Sequence, residues 1–310
     1  MHTHKQILSC DWGTSSFRLR IVNVNSGFIE DEIVSNKGIA SVYDNWQQQG
    51  KNENSRIDFY KTTLQSFIQL LKKDIDGLPL IISGMASSTL GMQNMDYATI
   101  PFDLLSGKLN TSIIKADEIC PHNILLVSGL KTANDAMRGE ETMLLGCNFK
   151  NDEDVLAIFP GTHSKHVFVK SNVIVDCKTY MTGEVFELLA TKSVLSKSVI
   201  KNNKKYDTAF ENGVKEGFEN NILNSIFHAR TNQLFSKNSA EENYHYLSGL
   251  LIGTELKEIT NIDANIYLVC NKNIAQQYTY ALKLTGNKAK VYDADKALIN
   301  GHCKLSNFSN

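Results

Sequence analysis

Two short stretches of this chain have the composition to hold phosphate. Gly13-Thr14-Ser15-Ser16 and Gly161-Thr162-His163-Ser164 share the pattern G-T-x-S and lie about half a chain apart. A turn of Gly, Thr and Ser exposes backbone N–H groups without side-chain obstruction. Such a concave row of donors binds phosphoryl oxygens, and the hydroxyls add to it. Asp11 stands just before the first turn. A carboxylate there could hold Mg²⁺, which takes one or two protein carboxylates and otherwise keeps water and phosphate oxygens. Either turn alone could be an ordinary hairpin. The pair, each set between apolar segments, argues for phosphate binding and for a duplicated fold.

A second group is Met137-Arg138-Gly139-Glu140-Glu141. On a predicted helix from about 136 to 147, with Asp135 as its N-cap, Glu141 shares a face with Met137, Leu144 and Leu145. A carboxylate on an apolar stripe is unfavourable to bury unless it has a partner or a task. Phosphoryl transfer to a hydroxyl provides such a task, because the proton needs an acceptor. A surface Glu pair favoured by the helix dipole is the plain alternative. His163, Lys165 and His166 follow the second turn, and with Arg18 and Arg138 they could supply cations to a carboxylate or to developing phosphoryl charge. Thr182-Gly183-Glu184 opens a predicted helix whose N-terminus could face an anion or a substrate hydroxyl; a simple helix cap competes with that.

These residues need a scaffold, and the hydropathy pattern supplies one. Residues 5–24 read as strand, sharp turn and strand, with Phe17, Leu19 and Ile21 alternating with Arg18 and Arg20. Residues 55–73 carry apolar positions at helical spacing. Leu78–Ser83 and Ile124–Val127 read as buried strands. The opening pattern then returns, with apolar strands at 155–159 and 167–169 flanking Pro160-Gly161-Thr162-His163-Ser164. Helices are predicted near 183–196, 208–217, 220–231 and 240–259. The last of these is opened by Ser239 and Glu242 at capping-box spacing. A strand at 266–269, a helix at 274–285, a strand at 288–292 and a short helix near 294–302 complete the chain. The mixture predicts α/β layers.

Composition narrows the function classes. The 310 residues hold 32 Lys plus Arg against 33 Asp plus Glu, so no basic excess points to nucleic acid or to a membrane surface. No run approaches the roughly 18 apolar residues of a membrane span, and the N-terminus has no signal-peptide pattern. The six cysteines are scattered with no CxxC pair, which favours reduced thiols and a cytoplasmic setting.

Asp11-Trp12-Gly13-Thr14, Gly84-Met85-Ala86-Ser87-Ser88, Met137-Arg138-Gly139-Glu140-Glu141-Thr142, Pro160-Gly161-Thr162-His163-Ser164-Lys165, Met181-Thr182-Gly183-Glu184 and Leu247-Ser248-Gly249-Leu250-Leu251-Ile252-Gly253 resemble, in order, the bacterial 2-dehydro-3-deoxygalactonokinase family. The resemblance implies an α/β fold of two similar ribonuclease-H-like domains, as in the actin-like ATPase superfamily, with a central nucleotide cleft. It implies an N-terminal domain over 1–150, carrying the first phosphate loop and the sugar-acid site. A C-terminal domain over 151–310 would carry the second loop and the adenosine site, with the last helix returning to the first domain. The implied reaction is MgATP-dependent phosphorylation of 2-dehydro-3-deoxy-D-galactonate at its 6-hydroxyl, with a homo-oligomer allowed. Carried over, Asp11 resembles the metal-associated acid, and Gly13, Thr14, Ser15, Ser16, Gly161 and Thr162 the phosphate-loop residues. Arg18, Met85, Ser87, Arg138, His163, Lys165, Thr182 and Glu184 are the substrate-binding candidates. Related enzymes place a catalytic carboxylate at Glu140 or Glu141; helical phase favours Glu141 as the inward member, and Asp135 is the third candidate. The adenosine turn, normally Gly-rich, reads Val269-Cys270-Asn271-Lys272-Asn273, where Asn271 could adopt a left-handed conformation in place of glycine. A polyphosphate or nucleotide phosphohydrolase and a non-catalytic sugar-acid sensor are the alternatives on the same fold.

Overall fold

The computed structural model describes residues 5–50, 53–150, 153–202, 204, 206–260 and 262–308. Its elements begin with β1 (Gln6–Trp12), β2 (Phe17–Asn23), β3 (Ile29–Ser35), α1 (Ile39–Gln48), α2 (Arg56–Ile68) and β4 (Leu80–Gly84). The short strands β5 (Ala98–Thr99) and β6 (Phe102–Asp103) follow, then β7 (Thr111–Ile114), β8 (Ile124–Val127), β9 (Leu130–Lys131), β10 (Ala136–Met137) and α3 (Glu140–Gly146). Next come β11 (Val155–Phe159), β12 (Ser164–Lys170), β13 (Val173–Tyr180), α4 (Thr182–Lys192), α5 (Asp207–Glu219), α6 (Ile222–Leu234) and α7 (Ala240–Leu256). The chain continues through β14 (Asn265–Cys270), α8 (Lys272–Leu284), β15 (Ala289–Asp293) and α9 (Ala294–Phe308). Two compact units form: Met1–Asp152, Ser171–Cys177 and Ala294–Asn310 make one, and Glu153–Lys170 with Lys178–Asp293 make the other.

The main sheet of the first unit runs β3-β2-β1-β4-β8-β7. β1 pairs antiparallel with β2 and parallel with β4, and β4 pairs parallel with β8. β1 is covered on both faces, so Ile7, Leu8, Ser9 and Cys10 are all buried; an apolar run without alternation is what a central strand requires. Against one face, α2 inserts Tyr60, Leu64 and Phe67 among Leu8, Cys10, Trp12 and Phe17. α9 meets β1 from the chain's far end. Its His302 bonds Ser9 on β1 (2.7 Å) and Ser83 on β4 (3.0 Å). α3 and α9 cross so closely that a Cβ on Gly146 would lie 1.7 Å from the Ala297 carbonyl oxygen, and one on Gly301 2.0 Å from that of Thr142.

The second unit repeats this wiring. Its sheet contains β15-β14-β11-β12, with β11 antiparallel to β12 and parallel to β14, and β14 parallel to β15. Strand for strand this matches β8-β4-β1-β2, the duplicated topology that the repeated G-T-x-S turns anticipate. Its helical layer depends on small residues. Cβ atoms on Gly213, Gly217, Gly249 or Gly253 would each come within about 2 Å of a carbonyl oxygen on the facing helix, so α5 and α7 pack backbone to backbone. α7 opens on the predicted capping box of Ser239 and Glu242.

The element boundaries depart from expectation at one place that matters. The helix predicted over 136–147 begins only at Glu140. Ala136 and Met137 form a strand, and Gly139 at φ 111° is the N-cap. Asp135 therefore caps no helix, and Met137 shares no helical face with Glu141. A glycine in that backbone region cannot begin a helix one turn earlier.

Candidate functional site

In the first unit the tips of β1, β4 and the segment before α3 converge. β1 ends at Asp11 and Trp12, and Trp12 pairs with Phe17 to close the turn 13–16. Within the turn the Gly13 amide donates to the Ser16 carbonyl (2.9 Å). The carbonyls of Gly13 and Thr14 accept from Ile39 and Ala40 at the start of α1 (2.9 and 3.0 Å). Gly38 permits this docking, since a Cβ there would lie 2.3 Å from the Thr14 carbonyl oxygen. Thr14, Ser15 and Ser16 stay exposed. The turn is thus braced through its carbonyls while its hydroxyl-bearing residues face solvent.

Asp11 lies opposite Arg18 on β2 and Ser83 on β4. Gly84, at φ 87°, follows Ser83; a Cβ there would meet the Trp12 carbonyl oxygen at 2.8 Å and Asp11 Oδ1 at 3.4 Å. A Cβ on Gly139 would in turn reach the Gly84 Cα at 3.6 Å. Three segments far apart in sequence therefore meet at Asp11, Gly84 and Gly139, and a side chain at Gly84 would fill the space beside the carboxylate. Asp11 is half-buried. Burial raises its pKa above the ordinary aspartate value, aided by Asp295 and opposed by Arg18 and Arg20.

The candidate cations differ in availability. Arg18 pairs with Asp295 of α9, and Arg20 pairs with Glu32 (2.6 Å) and Asp295 (3.0 Å). Arg18 is thus committed to an ion pair, against the expectation that it offers a free charge. Arg138 has no carboxylate partner among the described residues. Its guanidinium donates to the Ser87 carbonyl and hydroxyl (both 2.6 Å) and lies over the Tyr97 ring at 4.1 Å, while its buried Nε has no partner. Ser87 is wholly buried and donates to the Val127 carbonyl (2.6 Å), so it fixes Arg138. Met85 is partly buried beside that core.

The two glutamates are not equivalent. Glu141 is 0% exposed, and both its oxygens accept from the Gly139 amide (2.9 and 2.7 Å), with Thr142 donating at 3.1 Å. Burial, then the charge of Glu140, pushes Glu141 up to about 8 despite those donors. Glu140 is partly exposed, and its Oε2 accepts from the Arg138 amide (3.0 Å). Asp135 sits in a turn whose carbonyl accepts from the Thr132 amide (2.8 Å).

Glu141 yields a testable consequence. With its folded pKa raised from about 4.5 to about 8, the unfolded chain ionises first as pH rises. Stability from this group is fully present below about pH 4.5 and is lost progressively toward pH 8. Thermal unfolding of Glu141→Gln should accordingly show a flatter decline between pH 5 and 8 than the parent. Parallel curves would contradict the assigned shift.

In the second unit Phe159 pairs with Lys165, and the turn between them leaves Gly161, Thr162 and His163 exposed. The start of α4 docks on this turn. The Glu184 amide donates to the Thr162 carbonyl (3.0 Å), and His163 bonds the Glu184 carboxylate. A Cβ on Gly183 would lie 2.6 Å from the Gly161 carbonyl oxygen. The turn motif and the Thr182-Gly183-Glu184 motif are thereby one assembly. Thr182 donates to Glu255. Lys165 is buried at 7% exposure, and its amine makes no hydrogen bond or ion pair among the described residues. His166 is not a free cation, because its Nε2–H donates to Glu255 (2.9 Å). Asn271 is extended (φ −73°), not left-handed; it caps α8 by accepting from the Ile274 amide. Glu255 and Tyr278 have no place in the sequence reading. The available signal was a lone acid within the apolar run of α7, the same criterion that singled out Glu141.

Among the described residues no helix is long and apolar enough to cross a membrane. A profile of the 2-keto-3-deoxy-galactonokinase family matches residues 11–305. A Rhizobium meliloti protein assigned as a 2-dehydro-3-deoxygalactonokinase is 30% identical over 315 residues, covering 97% of this chain and 96% of its own. The 2-dehydro-3-deoxygalactonokinase of Escherichia coli is 30% identical over 232 residues, covering 72% and 76%. A Sinorhizobium meliloti crystal structure assigned to the same activity superposes with a TM-score of 0.79 at 27% identity, over 98% of both chains. Component A of the (R)-2-hydroxyglutaryl-CoA dehydratase of Acidaminococcus fermentans shares the fold alone, with a TM-score of 0.50 at 9% identity over 99% of both.

Proposed function

The chain belongs to the 2-keto-3-deoxy-galactonokinase family, and from that premise we propose that it transfers the γ-phosphoryl group of ATP to the 6-hydroxyl of 2-dehydro-3-deoxy-D-galactonate, releasing ADP. That it is a sugar-acid kinase, a phosphotransferase with an alcohol acceptor, follows from the family. The finer assignment is carried by one observation: Asp11, Gly84 and Gly139, from three motifs of the sequence, meet at one point.

Phosphoryl transfer through a loose transition state depends on positioning and charge stabilisation. Each turn, 13–16 in the first unit and 160–164 in the second, offers amides and hydroxyls of the kind that suit phosphoryl oxygens, and Asn271 caps α8. Arg138, pinned by Ser87 and with no carboxylate partner among the described residues, takes the carboxylate of the sugar acid, a planar group its fork suits. Met85 borders Ser87 in the first unit, where Arg18 acts through Asp295; in the second unit His163, Thr182 and Glu184 brace the turn at Gly161, and Lys165 follows it. Glu140, partly exposed, accepts the hydroxyl proton, while Glu141, sealed from solvent, holds the Gly139 turn.

The residues fit Mg²⁺. No three acidic, His or Cys side chains cluster into a cage among the described residues. An ion that keeps its waters and binds phosphate needs only one carboxylate. Asp11, with the space at Gly84 left clear beside Oδ1, would hold it. Bound there, the ion would neutralise charge on the phosphoryl oxygens.

A coupled ADP-release assay, with and without the sugar acid, tests the proposal. ADP should appear only with the acceptor present. ADP or phosphate release without acceptor would establish a phosphohydrolase, and no release in either case a sensor.

A further inference from the structure

Four donors converge on one buried carboxylate in the second unit. Glu255, in the last turn of α7, is 2% exposed. Its Oε1 accepts from Ser164 Oγ (2.7 Å) and His166 Nε2 (2.9 Å), and its Oε2 accepts from Tyr278 OH (2.8 Å) and from the Thr182 hydroxyl. A carboxylate can only accept, so these bonds fix the direction of every hydrogen in the cluster, including the His166 tautomer or charge that keeps Nε2–H. Burial alone would raise the pKa of Glu255. His166, Thr182 and Ser164 outweigh it and hold the group below the ordinary glutamate value, so the anion persists inside the protein.

The partners are not a random set. Ser164 ends the turn that carries Gly161 and Thr162. Thr182 opens α4, whose Gly183 and Glu184 dock on that same turn. Tyr278 lies on α8, whose N-cap is Asn271. α7 itself is held rigidly by its glycine-to-backbone packing on α5. We propose that Glu255 is a positioning residue for nucleotide binding: its carboxylate locks the second phosphate turn, the head of α4 and α8 into one geometry. It touches no substrate and acts through Ser164, His166, Thr182 and Tyr278. The inference rests on the kinase reading above, because it takes the turn at Gly161 to be a phosphate turn.

Glu255→Gln retains size but offers one acceptor oxygen in place of two and an amide that meets donors. Calorimetric titration with a non-hydrolysable ATP analogue plus Mg²⁺, below the melting temperature of the variant, should show at least tenfold weaker binding. In the kinase assay the KM for ATP should rise by a similar factor, while the KM for the sugar acid moves less than about threefold. Tyr278→Phe removes one donor of the four, disturbs packing little, and should weaken nucleotide binding by a smaller factor of the same sign. Should Glu255→Gln melt too low to titrate, that second variant decides. A lower melting temperature with unchanged nucleotide affinity in both variants would make Glu255 a stability residue only and overturn the inference. A parent protein that binds no nucleotide would overturn the kinase reading, and the inference with it.

Discussion

Glu140→Gln should lower kcat for the sugar acid by roughly 10²–10⁴-fold, the usual worth of general base catalysis, with little change in the KM for ATP. The choice of Glu140 over Glu141 rests on access. A base must reach the hydroxyl it deprotonates. Glu141 is 0% exposed and spends both oxygens on the Gly139 amide. Held up to about 8, it is also largely protonated at neutral pH, and a protonated acid cannot take the proton. Glu140 is partly exposed. Gln at 140 keeps an oxygen for the Arg138 amide, so the turn survives while the proton acceptor is lost. Glu141→Gln should change kcat by less than about tenfold. Steady-state kinetics of both variants at neutral pH decide the matter. If Glu141→Gln is the crippling change, the sealed acid becomes accessible during turnover and the assignment reverses. If neither moves kcat tenfold, the base lies elsewhere and Asp135 is tested next.

The contrast between these acids also shows where sequence reasoning works and where it stops. Both G-T-x-S turns are legible because hairpins are local: alternation in 17–21, apolar strands on either side and G-T-x-S between them need no distant information. The capping box at Ser239 is local too, and it is present. In sequence Glu141 reads as inward-facing from a helical stripe that includes Met137. It is inward, but Met137 lies on a strand and the helix starts at Glu140, because backbone conformation at Gly139 overrides apolar spacing. Arg18 reads as a free cation in sequence since its partner Asp295 is 277 residues away. Glu255 is hidden for the same reason. Its partners Ser164, His166 and Thr182 are 91, 89 and 73 residues distant, and only the folded sheet and helices bring them together. Asn271 keeps its turn without glycine by a route the sequence did not favour. Its side chain accepts the Ile274 amide from an extended backbone, so no left-handed conformation is required.

Asp11→Asn is expected to reduce kcat by about 10²–10³-fold, since charge stabilisation by a catalytic metal is worth several kcal/mol and each 1.36 kcal/mol is tenfold in rate. Asn matches the shape of Asp and leaves the ion pairs of Arg18 and Arg20 with Asp295 in place, so the fold around the first turn should persist. The electrostatics point the same way. Burial raises the pKa of Asp11. Above the unfolded aspartate pKa, near 3.8, ionised Asp11 therefore contributes unfavourably to stability, and this penalty grows until pH exceeds the folded value. A neutral Asn removes the penalty, so at pH 7 the variant should melt at or above the temperature of the parent. Burial at the tip of β1 disfavours the ionised carboxylate, and a bound cation would offset that effect. Activity measured over a rising Mg²⁺ series separates the possible defects. A variant that recovers near-normal kcat at saturating Mg²⁺ has lost only affinity for the ion, and Asp11 then has no part in stabilising the transferred group. A kcat that stays depressed at every Mg²⁺ concentration, in a protein that melts normally, is the result expected if Asp11 places the ion against the phosphoryl oxygens during transfer.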